Sequence, residues 1–496
     1  MRRVLLGTFR HTLRALAYGV VGGGIVAIVA AVLLLDSRPD LDLWHEAELD
    51  EEFRADSDVE TFRDYLALED RLFAQLEREI YEPLGTAAGH AFSRYHSGAL
   101  PDPRRWSPNW NRSFELRHAE PRAAVLLLHG MSDSPYSMRS LAKRVHREGA
   151  YAVAMRVPGH GTAPSGLLDV EWEDMAAAVR IAAQHAAEQA PDTPLVIIGY
   201  SNGGALAVHY ALESLRDRAL PRPAQLVLLS PEIGITRLAA LAVWQERLGH
   251  LLGLEKLAWN SIQPEYDPFK YGSFALNAGK QAYRITMAIQ KQIGELSSTG
   301  QLEDFPPTLA FQSVVDATVQ ASVLVSGLFD RLQAGGHEIM LFDINRYTKI
   351  ETVMKSDPAS WLESVLGDRS RNYTISAIAN VSPATLEVQL RRRDPNTTRV
   401  TTQPLAGLRW PPHIFSLSHV ALPFAPDDPV YGGPLAGPSP GIQLGDLAIR
   451  GEKGVALVSA TDMLRLRWNP FYPYLEDRTV EAMRNAQRPP SAPLHD

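Results

Sequence analysis

The residue best placed to do chemistry is Ser201, within Gly199-Tyr200-Ser201-Asn202-Gly203, a pattern in which glycines stand two positions either side of a serine. A serine hydroxyl is a weak nucleophile until a base takes its proton, so a catalytic serine must be held where a base can reach it. Five residues with three fixed positions arise by chance, and the surroundings decide. The apolar run Leu195 to Ile198 ends directly before the pattern, and the helix-like ALAVHYALESL begins directly after it. A strand-to-helix turn of this kind is sharp, and glycines remove the Cβ atoms that would collide within it. The start of the following helix adds a field that favours negative charge nearby. An ordinary loop serine is the alternative, and the flanking strand and helix argue against it. The chain has no cysteine. That excludes a thiol nucleophile, a disulfide and a thiolate zinc site, leaving serine or carboxylate chemistry.

The elements that must position this serine are legible around it. Six short apolar runs end at Leu128, Arg156, Tyr200, Ser230, Val315 and Asp343, separated by stretches such as SMRSLAKRVHREG and WEDMAAAVRIAAQHAAEQ. The runs are continuous rather than alternating, which suits parallel strands buried on both faces, with amphipathic crossover helices between them. The expected fold class is α/β, a doubly wound and mostly parallel sheet.

Two further segments join the serine turn in pointing to a family. LLLHGMSDSP, from Leu126 to Pro135, closes the first run, and RVPGHGTAPSG, from Arg156 to Gly166, follows the second. Together with Gly199 to Gly203 they resemble the α/β hydrolases, in particular the bacterial esterase, monoacylglycerol-lipase-like and serine-aminopeptidase-like group. The resemblance covers about Arg117 to Gly234 and Pro306 to Asp343. It implies an oxyanion hole made by the backbone N–H groups of Met131 and Asn202, with His129 and His160 as loop-shaping residues. It also implies that an acid and then a histidine follow the serine in chain order, each at the carboxyl end of the sheet. Asp316, directly after a strand-like run, is the expected acid, with Glu232 and Asp343 in reserve, whereas Asp304 falls at the opposite end. Of the histidines after it, His337 opens a strand at the wrong edge and His495 lies in the tail. His419 is the expected base, and His413 the alternative.

On this reading His419 takes the proton of Ser201, Asp316 orients the imidazolium, and water later releases the acyl group. No cofactor or metal is required, and the pair Asp427 and Asp428 offers too few ligands for calcium. An ester is the leading substrate class, specifically a lipid-like or acyl ester. Amide or peptide hydrolysis with the same triad, and an inactive extracytoplasmic binding protein on the same fold, are the alternatives.

A net charge of −8 over 496 residues gives no basic footprint, which argues against nucleic acid as a partner. Residues 15–35 run without a charge, long enough to cross a bilayer, with Arg2, Arg3, Arg10 and Arg14 before them and mainly acidic residues after. The expected organisation is therefore a cytoplasmic N-terminus (1–14), a transmembrane helix (15–35), a helical stalk and linker (36–110) and a first part of the hydrolase core (111–233). A helical cap insertion (234–300), a second part of the core (301–344), a second insertion (345–408), a histidine loop with C-terminal core (409–480) and a flexible tail (481–496) follow. The catalytic domain is expected outside the cytoplasm, on the periplasmic side of a bacterial inner membrane. In the cap, Leu241, Trp244, Leu248 and Leu251 share one helical face, and Phe269, Tyr271, Phe274 and Tyr283 follow. These suit either an apolar roof for an acyl chain or plain packing of the insertion onto the core.

Overall fold

Strands rich in Ala, Val, Leu and Ile with no polar alternation are stable only where both faces are covered. In the computed structural model, which describes residues 14, 16, 18–24, 26, 38–85, 92–234, 255–445 and 463–487, all six apolar runs are strands. The strands in chain order are β1 (Phe114–Leu116), β2 (Ala123–Leu128), β3 (Ala150–Met155), β4 (Leu195–Tyr200), β5 (Pro223–Leu229), β6 (Trp259–Ser261), β7 (Phe274–Ala275), β8 (Thr308–Ser313), β9 (Glu338–Phe342), β10 (Thr374–Asn380), β11 (Glu387–Arg393) and β12 (Val400–Arg409). Ten of them form one sheet in the order β1-β3-β2-β4-β5-β8-β9-β10-β11-β12, while β6 and β7 pair separately. Neighbours from β3 to β10 run parallel. β1 and the β11–β12 hairpin add antiparallel edges.

Because β3 lies on one side of β2 and β4 on the other, the chain reverses its winding there. A crevice opens above the carboxyl ends of β2 and β4, the place where open α/β sheets bind ligands. Alternate residues of β2 feed two separate cores. Ala124, Leu126 and Leu128 pack with Val179, Leu206 and Ile285 from helices Trp172–Gln189, Asn202–Ser214 and Leu276–Ser298. Ala123, Val125 and Leu127 pack with Leu141, Val145, Leu475 and Met483 from helices Arg139–Arg147 and Tyr472–Ala486.

The segment expected as a stalk is part of the globule. Helix Phe62–Leu76 sends Phe62, Tyr65 and Leu68 into the main core. Burial of a charge explains the attachment. Arg156, at the end of β3, is fully buried, and its guanidinium meets Glu52 at 2.8 Å through both terminal nitrogens and Glu69 at 3.3 Å through Nε. Removing that arm would leave a buried cation unpaired, a costly state.

The second expected insertion, residues 345–408, likewise continues the sheet as β10 to β12 rather than interrupting it. In the expected cap, Leu241, Trp244, Leu248 and Leu251 lie outside the described residues. Helix Leu276–Ser298 packs Ile285, Ile289 and Ile293 into the main core, where Trp259 and Tyr271 are also buried. The expected membrane span falls largely outside the described residues, as does His495. Among the described residues no helix is long and apolar enough to cross a membrane.

Candidate active site

Ser201 follows the last residue of β4 and caps helix Asn202–Ser214 with φ 54° and ψ −117°, a left-handed backbone that a non-glycine residue adopts only under constraint. The constraint comes from both sides of the turn. The serine N–H donates to the Leu229 carbonyl of β5 at 2.9 Å, and its carbonyl accepts from Gly204 at 2.9 Å and Glu232 at 3.0 Å. The two outer glycines permit this fit. A Cβ on Gly199 would lie 2.4 Å from the Gly203 carbonyl oxygen, and one on Gly203 would lie 2.3 Å from the Leu128 carbonyl oxygen.

The structure brings Ser201, His419 and Asp316 together. His419 Nε2 is 3.0 Å from Ser201 Oγ, and His419 Nδ1 is 2.8 Å from Asp316 Oδ2. All three are buried, with 6 to 7% of each residue exposed. Asp316 sits just beyond β8, where the N–H groups of Thr318 and Val319 donate to Oδ1 at 2.8 and 2.9 Å and Gln312 Nε2 donates to Oδ2 at 3.0 Å. Burial alone would raise its carboxyl. The His419 charge and hydrogen bond, with those N–H groups, outweigh burial and hold the carboxyl below its ordinary value.

His419 begins a short turn, His419–Ala421, on an arm tied to the sheet by long-range contacts. Ser313, the last residue of β8, donates through Oγ to the Leu417 carbonyl at 3.0 Å. Asn345, just past β9, donates through Nδ2 to Ile414 at 2.8 Å and through its N–H to Phe415 at 2.7 Å. Tyr200 packs its ring 5.4 Å from the imidazole.

The segment carrying Met131 abuts the serine, since a Cβ on Gly130 would come within 3.1 Å of Ser201 Cβ. Met131 follows Gly130 in that segment, and Asn202 follows Ser201 as the first residue of the helix. His129 is buried and accepts from the Val157 N–H at 3.0 Å while its other nitrogen meets the Gly130 carbonyl at 2.9 Å. Burial, with the charge of His160 second, pushes it well below its ordinary value, so it stays neutral as a loop tie. His160 is buried and pushed down to about 4, chiefly by burial.

The reserve residues separate cleanly. Asp343 is bound by Arg346 at 2.7 Å, His337 is buried at the start of β9's edge, and His413 is exposed. Asp304 is exposed beside Arg222. Asp428 is buried and taken up by Tyr136 and Arg139, and Asp427 is exposed. Among the described residues no group of three or more potential metal ligands occurs. Glu232 is the exception. Its Oε2 is buried without a protein partner, and burial followed by the Asp316 charge pushes its carboxyl up to about 7.

Residues that sequence reasoning did not single out surround this centre. Gln312 was visible as a polar side chain inside an apolar strand. Asn345 gave no comparable signal, because its partners lie roughly 70 residues away. Lys270, Arg465 and Arg467 line a pocket beside the triad with Tyr266 and Asp267, where an apolar roof was one expectation.

A parallel sheet with a strained serine after β4 and an acid and histidine following in chain order is the arrangement of the α/β-hydrolase fold. Residues 119–343 match the family described as serine aminopeptidase, S33. No curated protein matches the chain. Among solved structures it is similar to a metagenome-derived lipolytic enzyme of the LipS and LipT study, at 21% identity and TM-score 0.35 over 47% of this chain and 87% of that one. A monoacylglycerol lipase of Paleococcus ferrophilus is similar at 17% identity and TM-score 0.35, over 47% and 89%. Est1E of Butyrivibrio proteoclasticus, with ferulic acid bound, is similar at 16% and 0.32, over 47% and 84%.

Proposed function

We propose that the protein is a serine hydrolase that cleaves a carboxylic ester through an acyl-enzyme on Ser201. The observation that carries this reading is the unbroken chain of contacts from Ser201 Oγ through the His419 imidazole to Asp316, at 3.0 and 2.8 Å. His419 Nε2 accepts the serine proton as Oγ attacks the carbonyl carbon, and Asp316 holds Nδ1–H and stabilises the imidazolium. The N–H groups of Met131 and Asn202 serve as donors to the developing oxyanion. His419 then protonates the leaving alcohol, and a water activated by the same imidazole releases the acid and restores the hydroxyl.

A fluorophosphonate probe should label the protein at Ser201, and Ser201→Ala should lose both labelling and at least about 1,000-fold of its ester turnover. An unlabelled, folded parent protein would instead favour a binding protein on a hydrolase core. Amide cleavage is a second reading, favoured by the description of the matched family as serine aminopeptidase. Matched ester and amide substrates separate the two. The charge-free residues 15–35, with arginines before and acids after, support an anchor that places the hydrolase outside the cytoplasm. Membrane fractionation tests this, and a shortened soluble product would overturn it.

A further inference from the structure

The pocket beside the triad is lined in part by Ser132 and Val420, the residues that follow Met131 and His419, and has a volume of about 220 Å³. Three cationic side chains line it, Lys270, Arg465 and Arg467, against one carboxylate, Asp267. Asp267 is already engaged. Its Oδ1 accepts from Tyr431 Oη at 2.5 Å and from the N–H groups of Phe269 and Lys270 at 3.0 and 3.1 Å, and Arg467 lies 3.5 Å from Oδ2. Lys270 faces the buried carboxylate of Asp133 at 3.7 Å. Arg465 is different. It is exposed, it meets the neutral hydroxyl of Thr318 at 3.5 Å, and among the described residues no carboxylate pairs with it.

The position of Arg465 ties it to the reacting centre. Thr318 donates its backbone N–H to Asp316 at 2.8 Å, so the guanidinium stands at the acid's own loop. The adjoining Ser418 Oγ donates to the Leu466 carbonyl, which fixes this stretch of chain to the residue before His419. A guanidinium presents planar paired donors that match the oxygens of a carboxylate or phosphate, and it gains most where a pocket wall partly shields it from water.

Resting on the hydrolase reading, we propose that the substrate carries an anionic oxygen group, a carboxylate or a phosphate, on the portion seated in this pocket, and that Arg465 is the specificity-determining residue that holds it. Lys270 and Arg467 supply a supporting positive field.

Three benzyl esters of similar length test this: the neutral butyrate, the hydrogen succinate bearing a carboxylate, and the 3-phosphonopropionate bearing a phosphonate. The two anionic arms distinguish the sources of the charge. The expected result is a higher kcat/KM for at least one anionic ester than for the butyrate. Arg465→Ala should lower that anionic-to-neutral ratio by roughly tenfold or more, mainly through KM, and Arg465→Lys should restore part of it. A neutral preference in the parent protein, or equal losses on all three esters, would overturn the assignment. Calorimetric binding of benzyl hydrogen succinate and of the phosphonate to Ser201→Ala, with and without Arg465→Ala, reads the pocket without turnover. Absence of binding, or binding that Arg465→Ala leaves unchanged, counts against the pocket. Loss of fluorophosphonate labelling at Ser201 counts against the hydrolase reading instead.

Discussion

Ser201 and His419 meet at 3.0 Å, yet the two sides of that contact are built in different ways. The serine is fixed within a few residues: glycines at 199 and 203 leave room that any Cβ would fill, and the turn bonds directly to β5. The histidine is fixed from far along the chain. Its arm hangs on Ser313, Asn345 and Leu466, and on Trp410, which is buried edge-on against Phe471 with ring centroids 4.7 Å apart. Local sterics therefore set Ser201, while a network of side chain to backbone hydrogen bonds sets His419. A turn fixed by sterics tolerates almost no substitution; an arm fixed by several bonds loses one at a graded cost.

The hardest blow to this contrast falls on the turn. Gly203→Val places carbon where the Leu128 carbonyl oxygen would be 2.3 Å away, and it should cut Ser201 labelling and ester turnover by more than about 100-fold. Activity within a few-fold of the parent would show that local sterics do not govern the serine. On the arm, Asn345→Ala leaves the Ile414 carbonyl without its side-chain donor and the Pro411 carbonyl with only the Ile414 N–H, and should cost about 1 to 2 kcal/mol in chemical denaturation. Turnover and labelling rate should fall together by roughly tenfold, because both need the imidazole in place. Unequal losses would mean that the arm serves something other than His419.

The smallest effect concerns Glu232, whose backbone joins the serine turn while its carboxyl faces Asp316. Its folded value, pushed up to about 7, exceeds the ordinary 4.5, so the folded state binds the extra proton. The stability it contributes is full below about pH 4.5 and is lost as pH rises through about 7. Thermal melts from pH 5 to 8 should therefore decline, and Glu232→Gln should flatten part of that decline, by no more than about 3 kcal/mol. A parallel slope in the variant would remove Glu232 from the account.

Much of the parallel sheet was legible because strands buried on both faces must be apolar throughout, and the runs ending at Leu128 and Tyr200 carry that signature. The serine turn was legible for a related reason, since its steric demand is written in adjacent glycines. The 36–110 segment reads as a stalk because its apolar positions at helical spacing do not say which surface they cover. Only the buried Arg156 reveals that Glu52 and Glu69 belong against β3. Residues 345–408 looked like an insertion because half-exposed edge strands such as β12 lack the continuous apolar pattern of the centre.

By itself the sequence determined the α/β architecture of the central strands and the strained turn at Ser201, because both depend on the nature of residues close together in the chain. It also narrowed the acid and the base to a few positions. Only the tertiary structure decided that His419 rather than His413 stands at the serine and that Arg465 reaches the pocket beside it. Those placements depend on hydrogen bonds and buried charges between segments roughly 70 to 200 residues apart, and no local pattern records such distances.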